Sequence, residues 1–275
     1  MRRLIYFVWL TLLASNAYSQ KRDNVWMLGT QLSGNNVGLE FFNSDINIMS
    51  SFHALTFFIT DASICDTAGN LLFYTNGTYI ANKNHDTLYN SKDFNLGYLT
   101  DVYYEGIGLG MPQGAIVLPV PQSSTNYIVV YMSGEEIESP SGSDYVTGLE
   151  LRYSEIDMAL DGGLGGISND KKKEVLVTDT MTYGQLTACK HANGRDWWII
   201  SHKYYSNKYY KFLLTPEGIL GPYSQHIGSE YRIGYFGKNV FSPDGSKLAH
   251  VGQTDTLDLF NFDRCTGELS NNISF

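Results

Sequence analysis

Cysteine is scarce in this chain. Only Cys65, Cys189 and Cys265 occur in 275 residues, too few for a disulfide framework to hold the fold. At most one pair can form, and each thiol lies among apolar or β-type residues, so buried free cysteines are expected. No CxxC is present, and no metal is assigned to them. Basic residues are also few: 19 Lys and Arg face 28 Asp and Glu, for a net charge of −9. That balance disfavours nonspecific binding to nucleic acid, which depends on cations neutralising phosphates. Long apolar runs are missing after the first residues, so no later segment is long enough to span a bilayer. No long amphipathic helix is legible either, and the most helix-like stretch, Asp170 to Val177, is charged and short.

The first residues carry an address. Met1-Arg2-Arg3 is a cationic start, Leu4 to Ala14 is an apolar run, and Ser15 to Ser19 is polar, with small residues at Ala17 and Ser19. This is the layout of a secretory signal peptide over 1–19, with cleavage between Ser19 and Gln20. A membrane anchor is the weaker reading, because a spanning helix needs about 20 apolar residues. No cysteine stands at the cleavage point, so a lipid-anchored start is not supported. The expected location is exported, extracellular or at the cell surface by way of the periplasm, with no transmembrane segment after cleavage.

Tyr (20), Phe (14) and Gly (27) dominate over seven Pro. Aromatic-rich strands between Gly-, Asn- and Asp-rich turns predict an all-β chain. Four segments share one layout, a short apolar strand, a polar turn and a more apolar strand: residues 63–77, 115–134, 186–203 and 239–252. Their turns carry Gly69-Asn70, Asn126, Asn193-Gly194 and Asp244-Gly245, residue types that tolerate positive φ. A further aromatic strand and a Gly-containing turn follow each hairpin, so the repeat holds about four short strands. Second strands begin near Leu71, Tyr127, Trp197 and Lys247, at or beyond the roughly 40–50 residues of a propeller blade. The excess is assigned to loops at 133–148 and 162–173.

The prediction is a β-propeller of four-stranded antiparallel blades over residues 20–275, with blade-like units near 55–98, 112–167, 183–222 and 236–273. A β-sandwich is the competing fold. Because the last unit ends on an outer hairpin, either the N-terminal strands complete the final blade or the chain is a fragment. The second option is slightly favoured.

Several strings carry a resemblance: ICDTAGNLLFYTNG, QGAIVLPVPQSSTNYIVVY, LRYSEIDMALDGGLGGI, LTACKHANGRDWWIISHK, YYKFLLTPEGI, FSPDGSKLA and LFNFDRCTGELSN. In this order the chain resembles the N-terminal β-propeller region of large secreted and surface proteins of the Bacteroidetes. Those are the gliding-motility-associated or PKD-domain proteins exported by type IX secretion. The resemblance implies a noncatalytic cell-surface or secreted protein. In that family Ig-like or PKD modules and a sorting domain usually follow the propeller, and this chain departs from the pattern in having neither.

Chemical motifs are weak. Ser168-Asn169-Asp170-Lys171 matches SxxK but sits in a Gly/Lys-rich loop without its partner motifs. Residues 106–114 are Gly-rich yet precede a strand rather than a helix, so they offer no phosphate cradle. His191 and His202 flank one hairpin, too few for a metal site. Asp157 and Asp161 lack the dense acids of a calcium loop. No catalytic residue, cofactor or metal is expected. The densest aromatic group is Trp197, Trp198, Tyr204, Tyr205, Tyr209 and Tyr210, where neighbours on a strand point to opposite faces. These six are the candidate surface for a protein or glycan partner at the cell surface. Three functions follow: a noncatalytic interaction or adhesion module, a lactonase-like propeller hydrolase or lyase with a loop-built site, and a carbohydrate-binding lectin.

Overall fold

The computed structural model describes residues 21–29, 37–42, 45–49, 55–103, 107–138, 144–230, 237–252 and 256–275. The signal peptide at 1–19 lies outside them, as does Gly106.

Among the described residues the chain forms five sheets in sequence order. The first holds β1 (Val25–Leu28), β2 (Val37–Phe42) and β3 (Asp45–Met49), and the second β4 (Ala62–Cys65), β5 (Leu71–Thr75) and β6 (Ile80–Asn82). The third runs β7 (Ala115–Pro119), β8 (Asn126–Glu138), β9 (Asp144–Asp157) and β10 (Gly166–Ile167), with β11 (Glu174–Met181) also paired to β9. The fourth is β12 (Thr187–Lys190), β13 (Trp197–His202), β14 (Lys208–Thr215) and β15 (Gly218–His226). The fifth is β16 (Lys238–Phe241), β17 (Lys247–Val251), β18 (Leu257–Asp263) and β19 (Glu268–Ser274). Every pairing between these strands is antiparallel, and each sheet is a meander of sequence neighbours except that β11 pairs with β9 rather than β10. Among the described residues, two facing sheets joined by long crossovers, the sandwich alternative, do not form.

Burial shows how the sheets stack. One apolar cluster joins the first and second sheets through Met27, Phe57 and Tyr74. The next joins the second and third through Phe73, Phe94, Val129 and Tyr131. A larger one joins the third and fourth through Val130, Leu151, Ile199 and Phe212. The last joins the fourth and fifth through Trp198, Tyr209, Leu248 and Phe260. Val129 and Val130 go to different clusters because successive strand residues point to opposite faces. Each inner sheet is therefore buried on both sides, which explains strands as apolar as WWIISH and KYYKFLLT.

The first and fifth sheets each turn an apolar row outward. Trp26, Leu39 and Ile48 are cross-strand neighbours in the first. Val240, Ala249, Leu259 and Ile273 run across all four strands of the fifth. Trp26, Ile48, Val240 and Ile273 are exposed.

Two sequence expectations are corrected. Residues 133–138 and 144–148 are not loop: β8 and β9 continue through them, pairing Gly134 with Gly148 and Glu138 with Asp144. The near end of this pair of strands is packed, with Ser133 and Thr147 buried, so polar and small residues form paired strand here. The second sheet has three described strands rather than four. After β6 the chain turns back on the Asn82 side chain, which accepts from the Asn84 and Asp86 amides. Ala81 bridges Thr87, and Tyr89 then bridges Gly166 of the third sheet. The would-be outer strand is thus drawn onto its neighbour.

The three cysteines are free: Cys65 and Cys189 are buried and Cys265 is exposed. Exposure of Cys265 departs from the expectation and follows from its place in the β18–β19 turn, where its amide is held by Asp263 Oδ1 at 2.8 Å. Burial pushes the Cys65 thiol up to about 11 and the Cys189 thiol up to about 12. A thiol titration of the folded protein is expected to show one fast-reacting group, with two more appearing only on denaturation. Three fast thiols under native conditions would contradict this packing.

Candidate functional site

Each sheet contributes its first strand to the inside of the assembly. β1 lies against β4, β4 against β7, and β12 against β16. Of these inner strands, β4, β7, β12 and β16 border an open cavity of about 470 Å³ lined by Ile59, Asp61, Gln113, Thr187, Ala188 and Lys238. Successive antiparallel sheets of three to five described strands stacked face to face, with first strands around a central channel, decide the architecture.

The chain is a β-propeller.

No protein-family profile matches the propeller, and no curated protein matches it. Among solved structures it is similar to a functionally unknown protein from Desulfotomaculum acetoxidans. The TM-score is 0.50 at 13% identity, covering 94% of this chain and 68% of that one. It is also similar to the β-propeller domain of Cps50 (Swd1) from Myceliophteria thermophila. There the TM-score is 0.44 at 11% identity, covering 93% and 70%. At such identities the likeness concerns the fold alone.

Buried amides lock the channel wall. Gln113, at φ 52, donates from Nε2 to the Asn239 carbonyl at 2.9 Å and accepts from the Asn239 amide at 3.0 Å. This two-point clasp joins the third sheet to the fifth. Asn239 Nδ2 donates to the Gln185 carbonyl at 2.9 Å, tying in the fourth. The Gln185 and Leu186 amides donate to the carbonyls of Pro112 and Gln113. On the other side, Thr60 Oγ1 donates to the Met111 carbonyl at 2.6 Å. A fixed frame of this kind holds the channel residues in place without a ligand.

Charge at the channel is modest. Asp61 reaches solvent, yet the surrounding wall desolvates its carboxyl and lifts its pKa, with Lys238 opposing the shift. Among the described residues, no three His, Cys, Asp or Glu side chains gather as a metal-holding group.

The structure separates the six aromatic candidates. Tyr209 and Tyr210 are buried; Tyr209 packs against Phe260 and bonds His250 Nδ1 at 2.9 Å. Tyr210 donates to Asp179 and receives Lys208 Nζ at 2.8 Å. Trp198 is buried between the fourth and fifth sheets, where its indole donates to the Arg264 carbonyl at 2.9 Å. Trp197 is half-buried beneath Lys190, whose ammonium sits 3.8 Å from the ring centroid. Tyr204 is buried and Tyr205 is exposed, with ring centroids 4.6 Å apart. Propeller packing thus absorbs four of the six, and the group does not form one continuous surface.

The remaining candidates have structural partners. Lys171 of the SxxK string binds Glu155 Oε2 at 2.6 Å rather than a serine. Asp157 Oδ1 accepts from the Ala159 amide, closing a local turn. His191 and His202 sit at opposite ends of their hairpin. His191 Nε2 contacts the Cys265 carbonyl, whereas His202 meets His250 edge to face with ring centroids 4.6 Å apart, a partner that sequence reasoning missed. The available signal was slight: both histidines lie toward the end of a second strand, in step with buried neighbours.

A second cleft, of about 710 Å³, opens beside the second sheet. The β5–β6 turn, the segment before β4 and the chain from Ser91 to Asp101 build it. Sequence reasoning did not find it, since its parts read singly as ordinary polar loops.

Proposed function

We infer that the chain is the noncatalytic interaction module of an exported bacterial protein. In this reading residues 1–19 are removed, residues 20–275 form the propeller domain, and the mature chain acts at the cell surface or in the medium. The resemblance to secreted Bacteroidetes propellers supports that setting, and a protein or glycan is the partner. The observation that carries the reading is the pair of outward apolar rows on the first and fifth sheets, held by a rigid amide-locked frame. Exposed, contiguous apolar strips on an otherwise acidic protein are surfaces for association.

The test has two arms. Expressed with its leader in a bacterium with an outer membrane, the protein is expected outside the inner membrane, starting at Gln20. Purified mature protein is then expected to bind outer-surface material, with binding weakened about tenfold or more by paired Val240→Asp and Ile273→Asp substitutions. Retention in the cytoplasm would overturn the export reading. Unchanged binding by the paired variant would overturn the role of the rows.

A second reading, a loop-built hydrolase, has one observation in its favour: the partly desolvated Asp61 in the channel. Hydrolysis of lactones or glycosides abolished by Asp61→Asn would replace the interaction reading.

A further inference from the structure

The cleft beside the second sheet has an unusual lining. Six hydroxyl-bearing residues line it, Thr56, Thr78, Tyr79, Thr87, Ser91 and Thr100, together with Asn76 and Asn95, and the Tyr79 and Thr87 hydroxyls bond each other. Apolar surface comes from Leu55, Leu96 and the Tyr79 ring, and charge comes only from Lys92, Asp93 and Asp101.

The wall is held open by the protein itself. Asn76 Oδ1 accepts from the Thr78 amide at 3.0 Å and the Tyr79 amide at 2.9 Å, and its Nδ2 donates to the Thr56 carbonyl at 2.9 Å. Thr75 Oγ1 accepts from the Gly77 amide at 3.0 Å. Ser91 Oγ reaches the Ile80 carbonyl at 3.4 Å. Asn95, only 2% exposed, donates to the Gly77 carbonyl at 2.8 Å and the Met132 carbonyl at 3.1 Å. Both amide hydrogens are thereby used. Its Oδ1 is buried with no hydrogen-bond partner among the described residues. An unmatched buried acceptor in a native protein costs on the order of 1–3 kcal/mol, and a lining side chain in that state is suited to a hydroxyl donor.

The lining selects a ligand class. A phosphorylated or sulfated ligand calls for clustered cations, and Lys92 stands alone beside two aspartates. A metal ion calls for converging carboxylates, and no such group forms among the described residues. A wholly apolar ligand would offer the unpartnered Asn95 Oδ1 no donor and would strip water from the other lining oxygens. What remains is a neutral polyhydroxylated molecule with one C–H-rich face: hydroxyls for the amides, hydroxyls and carboxylates, and the apolar face for Leu96 and Tyr79.

We propose that the cleft formed by residues 55–56, 76–79, 87 and 91–101 is a binding site for a neutral saccharide. It lies apart from the aromatic group on the fourth sheet and from the outward rows on the first and fifth. It deepens the glycan arm of the proposed function and rests on it only for biological setting.

The test uses full-length mature protein on an array of neutral, sialylated and sulfated oligosaccharides, followed by calorimetry with the strongest neutral one. Leu96→Ala with Asp101→Ala changes two exposed lining residues, and Tyr205→Ala serves as control. Selective capture of neutral glycans is expected, with affinity reduced at least tenfold by the cleft variant and unchanged by Tyr205→Ala. A melting curve confirms that the cleft variant is folded. Preference for charged glycans, loss through Tyr205→Ala, or unchanged affinity in the cleft variant would each overturn the site. If no glycan binds while the protein still binds outer-surface material through the apolar rows, the cleft proposal fails and the interaction reading stands.

Discussion

Gly184→Ala is expected to remove about 4 kcal/mol of stability or more, enough to leave a typical domain largely unfolded. Gly184 lies between β11 and β12 at φ 82. A Cβ built there falls 1.7 Å from the Pro112 carbonyl oxygen and 2.8 Å from its carbonyl carbon. Both are backbone atoms, so no side chain can swing aside. The next residue donates its amide to that same Pro112 oxygen at 3.0 Å, and Leu186 donates to Gln113 at 3.1 Å. Moving the two segments apart breaks these bonds and pulls on Gln113, whose clasp on Asn239 joins the third sheet to the fifth. One methyl group therefore acts on three sheets together. Gly194→Ala is the control: φ is 72, but nothing lies within 4 Å of the added carbon. It meets only the left-handed backbone cost of about 1–2 kcal/mol. Urea denaturation of both variants separates the effects, and equal losses would show that the Pro112 contact relaxes freely.

The same residues show what the sequence could and could not convey. Hairpins were legible because their signals are local. Gly69, Gly194 and Gly245 all take positive φ in their turns, as Gly-Asn, Asn-Gly and Asp-Gly pairs predict. The turn before β8 was read less well: Gln122, not Asn126, takes the left-handed conformation, and Asn126 opens the strand. Alternation identified the strands but not their partners. For Trp198, Tyr209 and Tyr210 the sequence favours packing over a surface role without saying which member of each pair packs, and stacking of the fourth sheet on its neighbours buries all three. The clasp between Gln113 and Asn239 spans 126 positions, and a lone glutamine and asparagine carry no local trace of such a pairing. The cleft was hidden for the same reason, since it exists only where 55–56, 76–79 and 91–101 meet. Polar composition points to a loop at 133–138 and 144–148, where the structure has strand, because polar and small residues suit both.

Acidification from about pH 6.5 to about pH 5 is expected to cost about 3 kcal/mol, well before the carboxylates titrate. His202 and His250 are buried between the fourth and fifth sheets, 4.6 Å apart, with Tyr209 and Asp258 beside them. Burial brings the His250 imidazole down to about 3. Burial and then the neighbouring His250 hold His202 well below its ordinary value, with Asp258 opposing. Both rings are therefore neutral in the folded protein, while in the unfolded chain they take up protons near pH 6.5. The unfolded state binds more protons across this window, so stability is fully present above it and falls as pH falls. Each imidazole contributes about 1.4 kcal/mol per pH unit. Asp179, Asp196 and Asp66 are shifted the opposite way relative to the neutral range: their folded values are lowered. Their contribution is lost only below about pH 4, so the two processes occupy separate windows. Denaturant titrations at intervals from about pH 7 to about pH 4 should show a steep fall in the upper part of the range. His250→Gln is expected to flatten that slope by about half while lowering stability at neutral pH through loss of the Tyr209 contact. A slope in the upper window that His250→Gln leaves intact would mean that the buried imidazoles are not the groups responsible.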